Sequence, residues 1–455
     1  MISEADVVDW FYEAALELLE ESVGMGTMEK IVDRVSLESR RQVLERLVQE
    51  AATREDLLCP HCEQALNVEE HNRARRVNST VGLIRFTRSY GSCSACEQYF
   101  YPADVTLGLQ GRAPASPRVQ EICALTALRA PAGQAQQDVR RITGIDLDAS
   151  SLHREARRQG ERALASRDAD VALSKTLDGV CELAARAITP STPFTLVIEI
   201  DAWNIRERDN WGLTQKLREA GEDTSRWHWV YTATTFRLDQ RGTTATGRPV
   251  IAERGYVATR RGLDDFRAQL YTETLQRGLL EAEQTLILAD GAVWIWNIAD
   301  DRFKGATQRV DMYHVNEHLW DLAHALFGHG SEKATQWVTP FLSWLKRRKD
   351  GALDVIEGLE GLCTTLNEFT ATQRKAIERE IGYFTEHKDR MDYKNGKAIG
   401  QPVGSGAIES TCSQYQRRFK LPGQFWSLAG DEAFLALATL HRNDRWNQLF
   451  PHDSP

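Results

Sequence analysis

The sequence lacks the features of membrane, collagen-like and low-complexity proteins. Its 455 residues include 13 prolines and 31 glycines, which are ordinary frequencies. No apolar run approaches the ~18 residues that a membrane-spanning helix needs; Phe194–Ile198, for example, is followed at once by Glu199. The opening residues Met1–Asp6 are acidic, and no apolar stretch follows a basic start, so we expect no secretory signal. These absences predict a soluble cytoplasmic protein of about three domains, with no membrane partner.

The chain also lacks an overall excess of basic charge. Its net charge of −9 argues against a nucleic-acid partner when it is taken alone. However, residues 1–56 hold 14 acidic and 6 basic side chains, so the rest of the chain is almost neutral. Local basic clusters are therefore more informative than the total charge.

Residues 1–56 have apolar residues at helical spacing with acidic residues between them. Glycines at positions 24 and 26 predict a break between two helices. No residue in this acidic segment indicates a chemical activity. Its amphipathic pattern supports only the hypothesis that the segment takes part in self-association.

Cysteines are few, but four of them form two Cys-x-x-Cys pairs thirty residues apart. The pairs are Cys59 with Cys62 and Cys93 with Cys96. Two such turns can supply the four tetrahedral thiolates of a closed structural Zn²⁺ site. We therefore predict a zinc ribbon over residues 57–110, whose four ligands leave no open position for catalysis. Thiols that hold no metal are the alternative.

Residues 111–188 are predicted to contain a helix-turn-helix DNA-binding region. Helices are expected over 118–129 and 133–142, with residues 143–145 as the turn and Asp148 or Ser150 capping a third helix. A basic third helix suits contacts to DNA phosphates and base edges. A solvated helical linker is the alternative. The third helix carries the arginines that we expect to contact DNA: Arg154, Arg157 and Arg158.

From about residue 190 the pattern changes to apolar, β-branched strands that alternate with helices. Strands are predicted over 194–201, 227–238, 249–257, 285–291 and 309–313, with helices over 263–276 and from about 314. Three antiparallel strands followed by parallel strands match the order of an RNase-H-like sheet. The predicted fold class is therefore multidomain α+β, with the zinc ribbon and the helix-turn-helix region followed by an RNase-H-like α/β catalytic core. Its parts are residues 189–318 for the first part of the core, 319–398 for an all-helical insertion, and 399–455 for the final helices.

Three carboxylates have the sequence context of a divalent-metal site. Asp201 and Asp290 each end an apolar strand, where a sheet presents side chains to a ligand. Glu409 follows a loop with glycines at 400, 404 and 406, which allow close backbone approach. Carboxylates suit Mg²⁺ or Mn²⁺, and two such ions can activate a water or a 3′-hydroxyl and stabilise the leaving oxygen of a phosphodiester. Strand-end acids are common, so the order of the three acids carries this prediction.

Several segments resemble bacterial insertion-sequence transposases with a DDE catalytic core, of the Kra type allied to the Mutator-like group. The segments are Ile198–Trp203, Leu288–Gly291 and Val403–Ser410, together with Asp311–His314, which resembles an Asp-x-x-His motif, and the basic, aromatic Arg417–Trp426. The resemblance covers about residues 55–445, and the final motif is its most specific part. Ala202 departs from the glycine that related groups often carry after the first acid, which removes no ligand.

The resemblance implies that Asp201, Asp290 and Glu409 hold two metal ions. It places His314 near them, either orienting a carboxylate or contacting the scissile strand; a structural histidine that caps the following helix is the alternative. Trp426 would stack on an unpaired base or belong to the core. Residues 388–420 hold seven basic and three acidic side chains and would form a phosphate track or a solvated face. The DNA contacts expected from the final motif are Arg417, Arg418, Lys420 and Trp426.

The sequence therefore predicts a nucleoid-associated bacterial transposase that binds the terminal inverted repeats of its element and joins them to target DNA. Its partners would be double-stranded DNA and further copies of itself, as a homodimer or a higher oligomer. Two alternatives use the same residues. One is a domesticated copy that binds DNA without cutting it, and the other is a non-mobile RNase-H-like nuclease.

Overall fold

The computed structural model describes residues 4–19, 24–54, 56–109, 114–188, 192–208, 212–222, 226–247, 249–364 and 369–451. The chain divides into two compact units, Met1–Gln159 with Phe450–Pro455 and Gly160–Leu449. The predicted domain boundaries near 110 and 189 fall on residues outside the described ranges and stay predictions. Within those ranges, no helix combines the length and the apolarity that crossing a bilayer requires.

The first unit combines helices with a small antiparallel sheet of order β1-β2-β3. The predicted break between the two N-terminal helices is present, and a hairpin with Gly82 at φ +97° joins the first two strands. The division between the units falls inside the last of the following elements. They are α1 (Glu4–Leu16), α2 (Met25–Arg54), β1 (Asn67–Ser79), β2 (Gly82–Cys93), β3 (Gln98–Phe100), α3 (Pro102–Thr106), α4 (Pro117–Ala127), α5 (Ala132–Thr143) and α6 (Ala149–Leu173).

Helix α2 covers the open edge of β2. Strand β3 pairs with β2 only at Gly91–Cys93, so the earlier part of that edge needs other hydrogen-bond partners. The Gln49 side chain supplies them at Thr87, since its Oε1 accepts from the Thr87 amide at 2.8 Å and its Nε2 donates to the Thr87 carbonyl at 3.1 Å. Glu45 accepts from the Arg85 amide at 2.9 Å. The end of the acidic segment is therefore part of the fold around the sheet.

Helices α4, α5 and α6 confirm the predicted three-helix pattern. Ser116 caps α4, and Gly144 ends α5 in the left-handed conformation at φ 72°. Asp148 caps α6, because its carboxylate accepts from the Ser151 amide at 2.8 Å and from the Ser150 hydroxyl at 2.7 Å. Of the two predicted capping residues, Asp148 is the one that receives the helix amide.

The second unit is built on a five-stranded mixed sheet with helices on both faces. Its elements after α6 are α7 (Leu177–Ala184), β4 (Thr195–Arg206), α8 (Thr214–Glu219), β5 (Trp227–Arg237), β6 (Arg241–Thr243), β7 (Pro249–Ile251), β8 (Gly255–Thr259), α9 (Leu263–Leu275), β9 (Gln284–Ala289), α10 (Val293–Arg302), β10 (Thr307–Val310), α11 (Met312–Phe327), α12 (Glu332–Arg347), α13 (Gly351–Gly361), α14 (Ala371–His387), α15 (Tyr393–Ala398), α16 (Gly406–Phe419) and α17 (Leu428–Arg442).

The sheet has the order β10-β9-β4-β5-β8. Strands β4, β5 and β8 pair antiparallel, whereas β4, β9 and β10 run parallel, as the strand pattern predicts. The third predicted strand, residues 249–257, is wrong as a single element. Its first part pairs with β6 in a separate hairpin, and only β8 joins the sheet. At the start of β8 a Cβ on Gly255 would lie 2.4 Å from Thr235 Oγ1, so neighbouring side chains already fill the space of a side chain there.

Strand β4 separates two packed layers. Leu196, Ile198 and Ile200 belong to the main core, which continues without a break through the helices from α9 to α15. Val197, which lies between Leu196 and Ile198 and points to the other face, packs with Leu286 and Ala407 beneath the start of α16. The helices that follow β10 therefore share a core with the sheet.

The docking of α2 on β2 predicts unequal effects for two N-terminal deletions. Deleting residues 1–56 removes Leu44, Val48 and Ala52 from the core around Phe86, a loss of several kcal/mol of apolar burial at ~1.5–3 kcal/mol per side chain. Deleting residues 1–24 leaves that core complete. We expect thermal denaturation to show a large stability loss only for the longer deletion; equal melting temperatures would contradict the docking.

Candidate functional site

Four thiols converge on one point in the first unit. The ligand atoms of Cys59, Cys62, Cys93 and Cys96 all lie within 4.8 Å of one another. Among the described residues, no other group of three or more His, Cys, Asp or Glu side chains is placed to hold a metal ion in this way. The sulfurs of Cys62 and Cys93 are 3.5 Å apart, and those of Cys59 and Cys96 are 3.8 Å apart. Four thiols at this spacing could hold a Zn²⁺ ion in a closed structural site.

Each cysteine pair sits in a turn of the same design. The His61 amide points to Cys59 Sγ and the Cys96 amide to Cys93 Sγ, each at 3.4 Å. That backbone contact is the main reason why the pKa of the Cys93 thiol is lowered to about 7. The residues that follow the pairs, Glu63 and Glu97, both adopt positive φ, at 60° and 52°. Amides that favour the thiolate form fit a metal-binding role. The Cys-x-x-Cys pattern predicts the two turns but not the positive φ of the glutamates that follow them, because glutamate rarely adopts that conformation.

The strand register brings three acids to one edge of the larger sheet. Ile200 pairs with Ala289, and Ala289 pairs with Val310, along three parallel strands. The next residues are therefore Asp201, Asp290 and Asp311. Asp290 and Asp311 directly follow β9 and β10, but the predicted end of the first strand at Asp201 is wrong, because β4 continues to Arg206 against β5. Neighbouring strands lie ~4.8 Å apart, so the three carboxylates follow one another across the carboxyl edge of the sheet.

Asp201 and Asp290 are half-buried and act on each other electrostatically. Burial is the largest cause that raises the pKa of Asp201, and the charge of Asp290 raises it further. The Ala202 amide, at 2.6 Å, and the Cys412 thiol of α16 oppose this effect by hydrogen bonding. Asp290 Oδ1 accepts from the Ala292 amide at 2.9 Å. Two crowded carboxylates in a partly desolvated position are the kind of site that a divalent cation stabilises.

Asp311 has a structural task. It is fully buried and caps α11 by accepting the Tyr313 amide. Its other oxygen accepts the Ser405 amide at 2.5 Å and the Ser405 hydroxyl. These bonds tie the end of β10 to the loop before α16. The sequence motif included this acid, but nothing in the pattern showed that it fastens the loop of the third predicted ligand.

Glu199 holds the first turn of α16. It is fully buried on β4, on the same face as Asp201, and accepts the Ile408 amide at 2.8 Å. Burial raises its pKa to about 8, against the opposing effect of the helix amides. Sequence reasoning missed this role, although a charged residue inside an apolar strand was a usable signal.

Glu409 lies in the first turn of α16 and is exposed. The Ser405 hydroxyl lies 3.4 Å from its Oε1. Cys412 lies one turn further on, and the charges of Asp201 and Glu409 both act on its thiol. The structure thus brings Asp201, Asp290 and Glu409 into one neighbourhood. The three acids do not form a group as tight as the four thiols.

Among the glycines of this loop, Gly404 is the one whose backbone approaches another group closely. A Cβ on Gly404 would lie 2.6 Å from the ring of Tyr313, whereas nothing lies within 4 Å of the corresponding positions on Gly400 and Gly406. Gly400 instead has a φ of 75°, a backbone conformation that favours glycine. The glycine pattern therefore reflects two different backbone demands.

His314 is half-exposed at the start of α11. Its Nδ1 lies 3.3 Å from Glu317, and its charge influences Asp201. Asp311 is the residue that caps this helix, so the capping role considered for His314 is wrong. His318, one turn further on, is more than a surface residue, because its Nδ1 lies 2.7 Å from the buried carboxylate of Glu380.

Two of the predicted DNA contacts lie in the core instead. Trp426 is 4% exposed, and its indole nitrogen donates to the Phe419 carbonyl at 3.0 Å, so the structure supports the core role and not base stacking. Arg418 lies over the Trp426 ring, and burial lowers its pKa to about 10. Arg417 and Lys420 are exposed on the same helix end. The alternating burial follows the helical period, which a count of basic residues ignores.

The arginines predicted on α6 also differ in exposure. Arg158 forms an ion pair with the buried Glu155, which joins Gln159 in a buried polar network. Arg154 is exposed and Arg157 is half-exposed. A phosphate contact from Arg158 would have to compete with its ion pair, so the exposed Arg154 is the better placed residue.

Removal of a zinc ligand is expected to unfold the three-stranded module, since such modules depend on their metal. Cys62→Ser should lower the zinc content measured by atomic absorption and the melting temperature, and a chelator should do the same to the wild type. Cys363→Ser, at an exposed single cysteine, is the matched control. Unchanged melting after complete removal of metal would rule out a structural zinc site.

Glu199 predicts a specific pH dependence. Its folded pKa is raised from 4.5 to about 8, so the stability of its protonated form is fully present below pH 4.5 and is lost as the pH rises towards about 8. In urea denaturation, the free energy of unfolding of Glu199→Gln should rise relative to that of the wild type by at most about 1.4 kcal/mol per pH unit in that window. Glu317→Gln, at an exposed position, should show no such trend. Parallel pH profiles for Glu199→Gln and the wild type would refute the prediction.

Comparison with known proteins identifies no family for the chain. No family model and no curated protein matches it. Among solved structures, the chain is similar to the Drosophila P element transposase strand transfer complex, with 12% identity, 76% of this chain and 84% of that chain covered, and a TM-score of 0.24. So low a TM-score does not establish a shared fold, so the functional assignment depends on the geometry of this chain.

Proposed function

We propose that the chain is the transposase of an insertion sequence, with an RNase-H-like core that cuts the element ends and joins them to target DNA. The observation that carries the proposal is the strand register that aligns Asp201 with Asp290, with α16 bonded to Asp201 through Cys412 and bearing Glu409. Three antiparallel strands followed by two parallel ones support the RNase-H-like assignment.

The three acids have the chemistry of a Mg²⁺ or Mn²⁺ site. Hard carboxylate oxygens are the ligands that these ions prefer, and a cation would relieve the burial and repulsion that raise the pKa of Asp201. When bound, a pair of such ions supplies activation of the attacking hydroxyl and stabilisation of the leaving oxygen. The chain itself fixes two ligands by strand pairing and the third through Glu199 and Asp311. His314 lies beside Asp201 and would orient the scissile strand.

Exposed basic residues supply contacts for double-stranded DNA. Arg417 lies 8 residues beyond Glu409 on α16, and Lys420, 11 residues beyond Glu409, directly follows the end of that helix, so the two lie about 12–16 Å from the acid at 1.5 Å per residue. That spacing suits a phosphate track that leads away from the acids. In the first unit, Arg154 and Arg157 on α6 follow the turn of a three-helix region and would contact the terminal repeats.

The N-terminal helices support self-association of the protein. Helix α1 exposes Trp10, and α2 exposes Met25, Val32 and Leu47, with exposures of 42% or more at these and several neighbouring apolar residues. Such a concentration of exposed apolar side chains marks an interaction surface more often than a free one. A dimer or a higher oligomer would let one assembly hold both ends of an element.

The proposal predicts Mg²⁺-dependent nicking at the element boundaries of a plasmid that carries the gene with its natural flanks. Asp290→Asn and Glu409→Gln should lower the cleavage rate by at least about a thousandfold, because a lost metal ligand removes several kcal/mol of transition-state stabilisation. Binding to the flanks should remain. Asp300→Asn, at an exposed acid on α10, is the matched control.

Other outcomes of this assay contradict the proposal in distinguishable ways. Nicking that survives both substitutions would mean that the three acids are not the site. Binding without cutting would indicate a DNA-binding remnant. Cutting without joining, and without preference for the element ends, would indicate a non-mobile nuclease.

A further inference from the structure

Helix α14 places two side chains against the residue that follows Asp290. A Cβ built on Gly291 would lie 3.4 Å from the hydroxyl oxygen of Tyr383 and 3.5 Å from Nε2 of His387. Gly291 itself has a φ of 105°, so the backbone here is of a kind that favours glycine. Both polar atoms therefore lie close to the residue that follows the strand-end carboxylate, and the proposed metal site does not use them.

The Tyr383 hydroxyl is buried and has no hydrogen-bond partner. Its ring is firmly held, because it stacks on His318 with the ring centroids 3.7 Å apart, and His318 is in turn bonded to Glu380. Buried hydroxyl groups in folded proteins almost always have a partner, and those without one call for an explanation. A fixed donor without a partner beside Asp290 is what we expect of a group whose acceptor is supplied by a bound ligand.

His387 is 3% exposed, and a neighbouring arginine determines which of its ring nitrogens carries the proton. Arg390 Nη1 lies 3.3 Å from Nδ1 of His387. A guanidinium group can only donate, so Nδ1 must be the acceptor and the ring proton must lie on Nε2. The Nε2–H group therefore faces Gly291 from the same side as the Tyr383 hydroxyl.

We propose that the Tyr383 hydroxyl and the His387 Nε2–H group form a donor pair for an anionic phosphate oxygen held beside Asp290. The ligand would be a backbone phosphate of the DNA strand being cut, so this inference rests on the proposed function. Both donors are neutral and add no charge to the cluster of acids. The helical segment from α11 to α15 would then contribute directly to substrate binding.

The test uses the full chain with Tyr383→Phe and inorganic phosphate as the probe. Removing an unpartnered hydroxyl should leave the melting temperature without phosphate unchanged or higher. Phosphate should raise the melting temperature of the wild type and raise that of Tyr383→Phe by less than half as much. Tyr271→Phe, at a half-buried tyrosine on α9, is the matched control and should respond like the wild type.

A cleavage assay on the flanked plasmid adds a second measurement. Tyr383→Phe should cut ten- to a hundredfold more slowly with unchanged affinity for the flanks, and His387→Gln, which retains an N–H donor, should lose less than His387→Leu. Equal phosphate shifts in all variants, no shift in the wild type, or a lower melting temperature of Tyr383→Phe without phosphate would overturn the donor pair. A phosphate shift that depends on Tyr383, in a protein that cuts no DNA, would support the pair and reject the proposed function.

Discussion

The hydrogen bonds that Asp311 makes to Ser405 are the interaction on which the candidate site most depends. They join the end of β10 to a loop nearly a hundred residues later in the chain, and they do so inside the protein, where water cannot substitute. Glu199 makes a parallel connection from β4 to the Ile408 amide. These two buried acids fix the start of α16 on the sheet, in addition to the packing of Ala407 with Val197 and Leu286. The exposed acid on that helix is thus positioned by two acids that are themselves hidden.

A few side-chain hydrogen bonds to the backbone also hold the first unit together. Gln49 and Glu45 satisfy the edge of β2 in the way that a neighbouring strand would, while Val48 and Ala52 close the core beneath them. The four thiols converge where β2 ends at Cys93 and could hold a metal ion there. A sheet of three strands, one of them only three residues long, buries little apolar surface. Its stability therefore has to come from the helix that packs on it, and the thiol cluster would add to that stability with a metal ion bound.

The parts that sequence predicted well depend on local chemistry or on periodicity. The apolar strands, the capping of α6 by Asp148 and the two cysteine turns each have a signal within a few residues. The errors have a common cause, because contacts between residues far apart in the chain leave no signal in a short stretch of sequence. Trp426 and Arg418 look like DNA contacts in a basic, aromatic segment, but both pack inwards against Phe434, Arg418 from α16 and Trp426 from the loop between α16 and α17. The roles of Glu199 and Asp311 depend on a loop distant in sequence, so a local pattern can mark these acids as unusual without showing what they bind.

The close contact between Gly404 and the ring of Tyr313 has a mechanical consequence. Because the ring fills the space of a side chain at 404, the Tyr313 side chain would have to move before a larger residue could be placed there. The backbone of Asp201 is held by strand pairing, that of Asp290 by the end of the paired strand β9, and that of Glu409 by the loop that Asp311 binds. Adjustment to ions or substrates of different size then falls to the torsion angles of the exposed Glu409 side chain. The third acid is thereby the adaptable member of an otherwise preorganised set.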